Sequence, residues 1–165
     1  AVATHDEELA EVVRTLANYG SERRYYNKYR GYNSRLDELQ AAFLSVKLAH
    51  LDNDNRRRQE LAAIYDGAIT AAEVIREEGR HIYHQYVVRV PCREELMEEL
   101  RKRQIPTLIH YPVPPHRQVC YEAYGDLSLP ITERLAQEVL SLPISPVMTE
   151  DEVLVVSRAI NDFYK

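Results

Sequence analysis

The sequence predicts an α/β fold: two long helices, then strand, helix, strand, helix and helix, with a small mixed sheet flanked by the helices. Three observations predict it. Apolar residues recur at helical spacing through the first part of the chain, and the run His81–Val90 is rich in β-branched and aromatic residues. The last part returns to helical spacing behind a capping box. At 165 residues, 45% hydrophobic and 28% charged, the chain can bury a sizeable core, and no apolar run is long enough to span a membrane.

The elements follow in order. Thr4-His-Asp-Glu7 reads as the capping box of a first helix through Leu9, Val12, Val13 and Leu16, ended by Gly20. Tyr19, Tyr25, Tyr26, Tyr29 and Tyr32 crowd a segment of no clear period, read as an ordered loop. A second helix is expected to begin at Asn33 or Ser34, with Asp37 completing a second box. Leu36, Leu39, Phe43 and Val46 line one side of it and Leu44, Leu48 and Leu51 another. Such a helix is buried or packs against more than one partner. The polar stretch Asp52–Asn55 is expected to bend it, and Leu61, Ile64, Tyr65 and Ala68 carry the stripe on to about Thr70.

After the His81–Val90 strand, Arg93–Arg103 reads as a short amphipathic helix. Thr107–Tyr111 reads as a second strand, stopped by Pro112, Pro114 and Pro115. Thr132–Leu140 is helical, Pro143 and Pro146 break it, and Thr149-Glu-Asp-Glu152 caps a last helix through Val153, Val156, Ile160 and Phe163. The expected division is 1–74, helical, and 75–165, a small α/β domain.

Charge and composition exclude several functions. A net charge of -5 gives no general attraction to nucleic acid, and Arg56-Arg57-Arg58, flanked by Asp52, Asp54 and Glu60, reads as a solvated helix face. The five glycines form no phosphate loop, and no Gly-x-Ser-x-Gly turn is present. No charged-then-apolar leader appears, and Cys92 and Cys120 lack metal or redox spacing, so reduced thiols in the cytoplasm are expected.

Two places carry candidate chemistry. At the expected mouth of the second helix, Asn33 can donate from its amide and Arg35 can add a bidentate clamp, in the field of a helix N-terminus that suits phosphates. The alternative is that Asn33 only caps and Arg35 makes a surface ion pair. The second place is the stiff loop from Ile109 to Gln118, which brings His110, Tyr111, His116 and Gln118 behind a strand. His110 and His116 have no third histidine or carboxylate near in sequence, and no metal is assigned to them. His84 and Tyr86, on one face of the strand, read as core or interface residues.

Asn18-Tyr-Gly-Ser21, Gly31-Tyr-Asn-Ser-Arg-Leu-Asp-Glu-Leu-Gln-Ala-Ala42, Tyr83-His-Gln-Tyr-Val-Val-Arg89, Ile109-His-Tyr-Pro112 with His116 and Gln118, and Ser141-Leu-Pro143 follow one another in this order. Together they resemble the C-terminal portion of the DegT family, sugar aminotransferases dependent on pyridoxal 5'-phosphate (PLP) with the fold type I of aspartate aminotransferase. The resemblance is nearest to members that aminate dTDP-linked 3-keto-6-deoxyhexoses. It implies a homodimer whose sites use residues of both subunits, with glutamate as amino donor and a nucleotide-linked keto-sugar as acceptor. It implies that Asn33 donates to the phosphate of the partner subunit's PLP, that Arg35, Tyr25, Tyr26 and Tyr32 line that shared site, and that His110, Tyr111 and His116 lie near the sugar nucleotide. The Schiff-base lysine is expected upstream of Ala1, since Lys28, Lys47, Lys102 and Lys165 do not match its position. No catalytic residue is therefore assigned to this chain, and PLP is expected in the full-length parent rather than on this chain alone.

Overall fold

The structure, a computed structural model, describes residues 2–23, 26–75, 79 and 81–165. The chain forms two compact units, Ala1–His50 and Leu51–Lys165. The expected division at 74/75 thus falls earlier, because the helix that starts at Leu51 packs with the C-terminal helix in the second unit.

In the first unit, helix α1 runs over Glu7–Ala17. Its N-cap is Asp6, whose carboxylate accepts from the Leu9 amide at 2.9 Å, while Thr4 Oγ1 accepts from the Asp6 amide at 3.0 Å. The helix starts two residues later than the Thr4 box implied because the Thr4 hydroxyl is taken by the Asp6 amide, which leaves the Asp6 carboxylate to cap the first turn. Past the C-cap Asn18, Tyr19 and Gly20 both take positive φ, and the Gly20 amide donates to Thr15 O at 2.8 Å, the long bond of a Schellman turn. The expected loop then contains an antiparallel hairpin, β1 (Ser21–Arg23) with β2 (Tyr26–Asn27). Exposed at its described positions apart from the half-buried Ser21, it carries no alternation that a sequence could announce. Helix α2 spans Glu38–Leu48, capped by Asp37 Oδ1 on the Leu39 amide at 2.8 Å. It buries none of its residues in this chain: Leu39 is 64% exposed, Phe43 61% and Leu48 69%.

The second unit opens with α3 (Leu51–Ala68), so the helical run breaks at Ala49–His50, just ahead of the polar stretch expected to bend it. Three strands follow in the order β3 (Glu73–Val74), β4 (Tyr86–Arg89) and β5 (Val139–Leu142), antiparallel throughout. The expected mixed sheet is corrected here for a topological reason. The chain leaves β4 at Arg89 and, after helix α4 (Arg93–Lys102), a proline-rich loop and helix α5 (Pro130–Glu138), re-enters beside the same end, pairing Val139 with Arg89. Only Tyr86–Arg89 of the expected His81–Val90 strand is laddered, since Tyr83 takes φ +49° and its amide donates to His81 Nδ1 at 3.2 Å. The expected Thr107–Tyr111 strand reduces to one bridge, Leu108 to Ser141, between prolines that cannot donate. Helix α6 (Glu150–Phe163) carries the full Thr149–Glu152 capping box.

Tyr86 and Val88 of β4 and Leu140 and Leu142 of β5 bury one sheet face against Leu61 and Tyr65 of α3, Leu96 and Leu100 of α4, and Val153, Val156 and Ile160 of α6. The tyrosines satisfy their polar ends inside this core. Tyr65 stacks on Tyr86 with centroids 4.6 Å apart and donates to Pro143 O at 2.8 Å; Tyr86 donates to Asp66 Oδ1 at 2.6 Å. Burial pushes the Tyr65 hydroxyl well above the usual tyrosine range. His84, by contrast, is exposed.

Candidate functional site

In the first unit, backbone geometry fixes where Asn33 stands. The segment after the hairpin lies along the end of α1 and closes a clasp of main-chain hydrogen bonds. The Tyr32 amide donates to Leu16 O at 2.7 Å, the Ser34 amide to Ala17 O at 2.9 Å, and the Tyr19 amide to Tyr32 O at 2.8 Å. Asn33 bridges Asn18 in antiparallel register. The orphan carbonyls of the α1 terminus are thus taken by an extended strand. Two glycines make room for it: a β-carbon on Gly20 would sit 1.9 Å from Tyr29 O, and one on Gly31 2.1 Å from Gly20 N.

Asn33 is therefore not at a helix mouth. Asp37 holds that position, four residues on, and the macrodipole expected to assist Asn33 is absent there. The Asn33 side chain accepts from Arg35 Nε at 3.2 Å through Oδ1, which leaves its Nδ2 amide as the group offered to an anion. The Arg35 guanidinium lies 5.5 Å from the Tyr19 ring centroid. Asn33, Arg35 and Tyr32 are all exposed, and Tyr26 lies under Arg23, 3.8 Å from the guanidinium carbon to the ring centroid. Tyr25 lies outside the described residues.

In the second unit, the loop after Leu108 separates its two histidines. His110 Nδ1 is 2.9 Å from Ser141 Oγ, and Tyr111, 71% exposed, meets the His110 ring edge-on at 5.6 Å. His110 and Tyr111 line a cleft of about 290 Å³ with Pro114, Pro115, Thr132 and Leu135. His116 is buried, its Nε2 3.0 Å from Glu133 Oε1. The same oxygen accepts from Arg117 Nη2 at 3.1 Å and from the Leu129 amide at 2.9 Å, and Arg117 Nη1 donates to Gly125 O at 2.6 Å. One carboxylate of α5 thereby ties down the loop that forms the cleft wall. Gln118 donates to Val113 O at 3.2 Å within the same loop. Among the described residues no three histidine, cysteine, aspartate or glutamate side chains gather as a metal would need, and His110 and His116 each have a separate partner.

The Leu129 amide, His116 and Arg117 hold the Glu133 carboxyl far below the ordinary carboxylate range, at about 2. The folded value lies below the ordinary 4.5, so this contribution to stability is complete above about pH 4.5 and lost as the pH falls toward 2. Glu133→Gln is expected to flatten the acid limb of the melting-temperature curve between pH 4.5 and about 2, leaving the neutral limb parallel to the parent's. An acid limb as steep as the parent's would count against this role.

Sequence reasoning missed Ser141 and Glu133. Ser141-Leu-Pro143 was legible only as a motif, because β5 buries all four of its residues and continues α5 without a break.

Residues 1–161 match the model of the DegT/DnrJ/EryC1/StrS aminotransferase family. A dTDP-3-amino-3,6-dideoxy-alpha-D-galactopyranose transaminase of Aneurinibacillus thermoaerophilus is 47% identical, over 99% of this chain and 46% of its own. The structure of Streptomyces venezuelae DesV in complex with a ketimine intermediate superposes with a TM-score of 0.90 at 41% identity, covering 99% of this chain and 46% of DesV. That of ntda from Bacillus subtilis with bound cofactor PMP superposes with a TM-score of 0.84 at 26% identity, covering 96% of this chain and 41% of its own. This chain spans about half the length of the relatives it matches. With the family model covering residues 1–161 and the same fold recurring in these solved structures, the chain belongs to the DegT/DnrJ/EryC1/StrS aminotransferase family.

Proposed function

We propose that this chain is the C-terminal portion of a PLP-dependent aminotransferase that moves an amino group from glutamate to a dTDP-linked 3-keto-6-deoxyhexose. The family match over residues 1–161 carries this reading. When bound, PLP supplies the electron sink that lets an amine pass from an amino acid to a ketone. The residues present fit its phosphate end. Asn33 offers an Nδ2 amide to a phosphate oxygen of the cofactor held by the partner subunit, and Arg35 keeps the Asn33 carbonyl turned to itself. Tyr32 and Tyr26, exposed beside them, line the same approach.

The aldehyde end finds no partner of the right kind here. A lysine that attacks a carbonyl needs its ammonium lowered by burial or by a neighbouring cation. All four lysines are exposed, and the Glu22 carboxylate holds Lys28 above the usual lysine range. Lys102 pairs with Glu99 and Lys165 with Asp162. The exposure of all four lysines supports the alternative reading of this polypeptide by itself, a dimerisation and substrate-contact module without catalysis of its own. Its bare apolar α2 is the surface for a second copy, giving a homodimer. His110 and Tyr111 contact the nucleotide sugar from their cleft, while His116, committed to Glu133, keeps the loop in place. The two exposed free thiols, Cys92 and Cys120, agree with a cytoplasmic setting.

Incubation of the pure chain with PLP, borohydride reduction and peptide mapping tests the reading. The expected result is scattered low-level labelling. Stoichiometric trapping at one lysine would overturn the assignment of a module without its own catalytic lysine.

A further inference from the structure

Ser141 is 6% exposed and sits in β5, opposite Val87 on one side and bridged to Leu108 on the other. Its main chain is satisfied: the Ser141 amide donates to Leu108 O at 2.8 Å and the Leu108 amide to Ser141 O at 3.2 Å. Among the described residues, His110 Nδ1, at 2.9 Å, is the partner of its hydroxyl. A buried hydroxyl brings a proton that must be given to an acceptor, or the group is left costly and unsatisfied. Were Nδ1 protonated, the hydroxyl would accept from it and its own proton would have no recorded destination. Donation from Ser141 Oγ to Nδ1 removes that conflict. It also settles the imidazole: with Nδ1 accepting, a neutral ring carries its proton on Nε2.

We propose that Ser141 is a positioning residue that holds His110 in the Nε2–H form, so that His110 meets its ligand as a hydrogen-bond donor to an oxygen. The inference rests on the nucleotide-sugar reading only for the identity of that ligand. His110 borders two clefts, one of about 250 Å³ shared with Ser141, Thr107 and Pro143 and the other of about 290 Å³ shared with Tyr111 and Pro115. A donor at that place suits the hydroxyl, carbonyl or phosphate oxygens of a sugar nucleotide. It does not suit an ammonium group.

The test uses the full chain, nitrogen-15-labelled at histidine, with dTDP-glucose as probe. With the ring neutral, His110 is expected to show a protonated Nε2 and an unprotonated Nδ1. In Ser141→Ala the two nitrogen shifts should move toward each other as the forms interconvert, with the melting temperature little changed. Affinity for dTDP-glucose should fall about three- to tenfold, the loss of one neutral hydrogen bond's orientation. Protonated Nδ1 in the parent, or unchanged nitrogen shifts in Ser141→Ala, overturns the proposal. So does unchanged affinity in Ser141→Ala when the parent binds. If neither protein binds dTDP-glucose while the nitrogen shifts behave as expected, the positioning role stands and the nucleotide-sugar reading fails for this chain.

Discussion

Gly31→Ala is expected to open the clasp that holds Asn33. The added β-carbon would lie 2.1 Å from Gly20 N and 2.6 Å from both Leu16 O and Tyr19 C, all main-chain atoms that no rotamer change can move aside. The segment must therefore lift off the end of α1 and give up the bonds from the Tyr32 and Ser34 amides to Leu16 O and Ala17 O. The expected cost to the first unit is about 3 kcal/mol, the upper end of what overpacking produces. Hydrogen exchange reads this directly. The Tyr19, Tyr32 and Ser34 amides should lose their protection, while the Val90 amide, bonded to Glu138 O in the second unit, keeps its own. Retained protection at Tyr32 and Ser34 would mean that the clasp tolerates the methyl and that the glycine is not a steric requirement. The experiment also separates the two compact units, since the Tyr32 and Ser34 bonds lie within the first and the Val90 bond within the second.

How far the sequence could be read depended on whether local chemistry and tertiary packing agreed. They agree in α4 and α6. A Thr-x-x-Glu box and an apolar stripe at helical spacing are enough to specify α6, and the structure has that cap and that buried stripe. They disagree where the sheet decides. Val139 and Leu140 continue the apolar spacing of α5, so Thr132–Leu140 reads as one helix, yet those residues turn into β5 because β4 offers them a ladder. Burial on both faces leaves Val139–Leu142 with no alternation to betray a strand. The hairpin of Ser21–Arg23 and Tyr26–Asn27 is hidden for the opposite reason, since its described residues are exposed apart from the half-buried Ser21.

The candidate site divides in the same way. Residue types with obvious chemistry, Asn33, Arg35, His110 and Tyr111, are legible as letters. Their surroundings are not. Asn33 reads as a helix terminus because Ser34 and Asp37 imitate a capping box, whereas the α1 carbonyls capture residues 32 to 34 and leave Asp37 to start the helix. His116 has the same letter as His110 but a different partner, and only the position of Glu133, far along the chain, reveals it. Ser141 carries no sequence signal beyond a short motif, because its meaning lies in a pairing with His110 across 31 positions.

In the PLP-loaded homodimer proposed above for the full-length parent, Asn33→Ala is expected to weaken cofactor retention by about 10- to 150-fold, the loss of one charge-assisted hydrogen bond of about 1.5–3 kcal/mol. The structure removes one of the two explanations open to this residue. Asp37, not Asn33, caps α2, so no helix stability depends on the Asn33 side chain. Among the described residues its side-chain hydrogen bond is the exposed one from Arg35 Nε, and its bridge to Asn18 is made by the main chain, which the substitution leaves in place. Unfolding of the cofactor-free protein should therefore shift by no more than about 0.5 kcal/mol. Asn33→Asp sharpens the argument. It keeps an acceptor for Arg35 and the size of the side chain, but replaces the amide donor with a negative charge. If Asn33 serves as a phosphate donor, the aspartate variant should hold PLP less well than the alanine variant, since it adds repulsion to the lost bond. If Asn33 matters only by orienting Arg35, aspartate should hold PLP as well as the parent. Spectrophotometric release of PLP from the three proteins at equal subunit concentration decides between them, and equal retention by all three would remove the anchor role altogether.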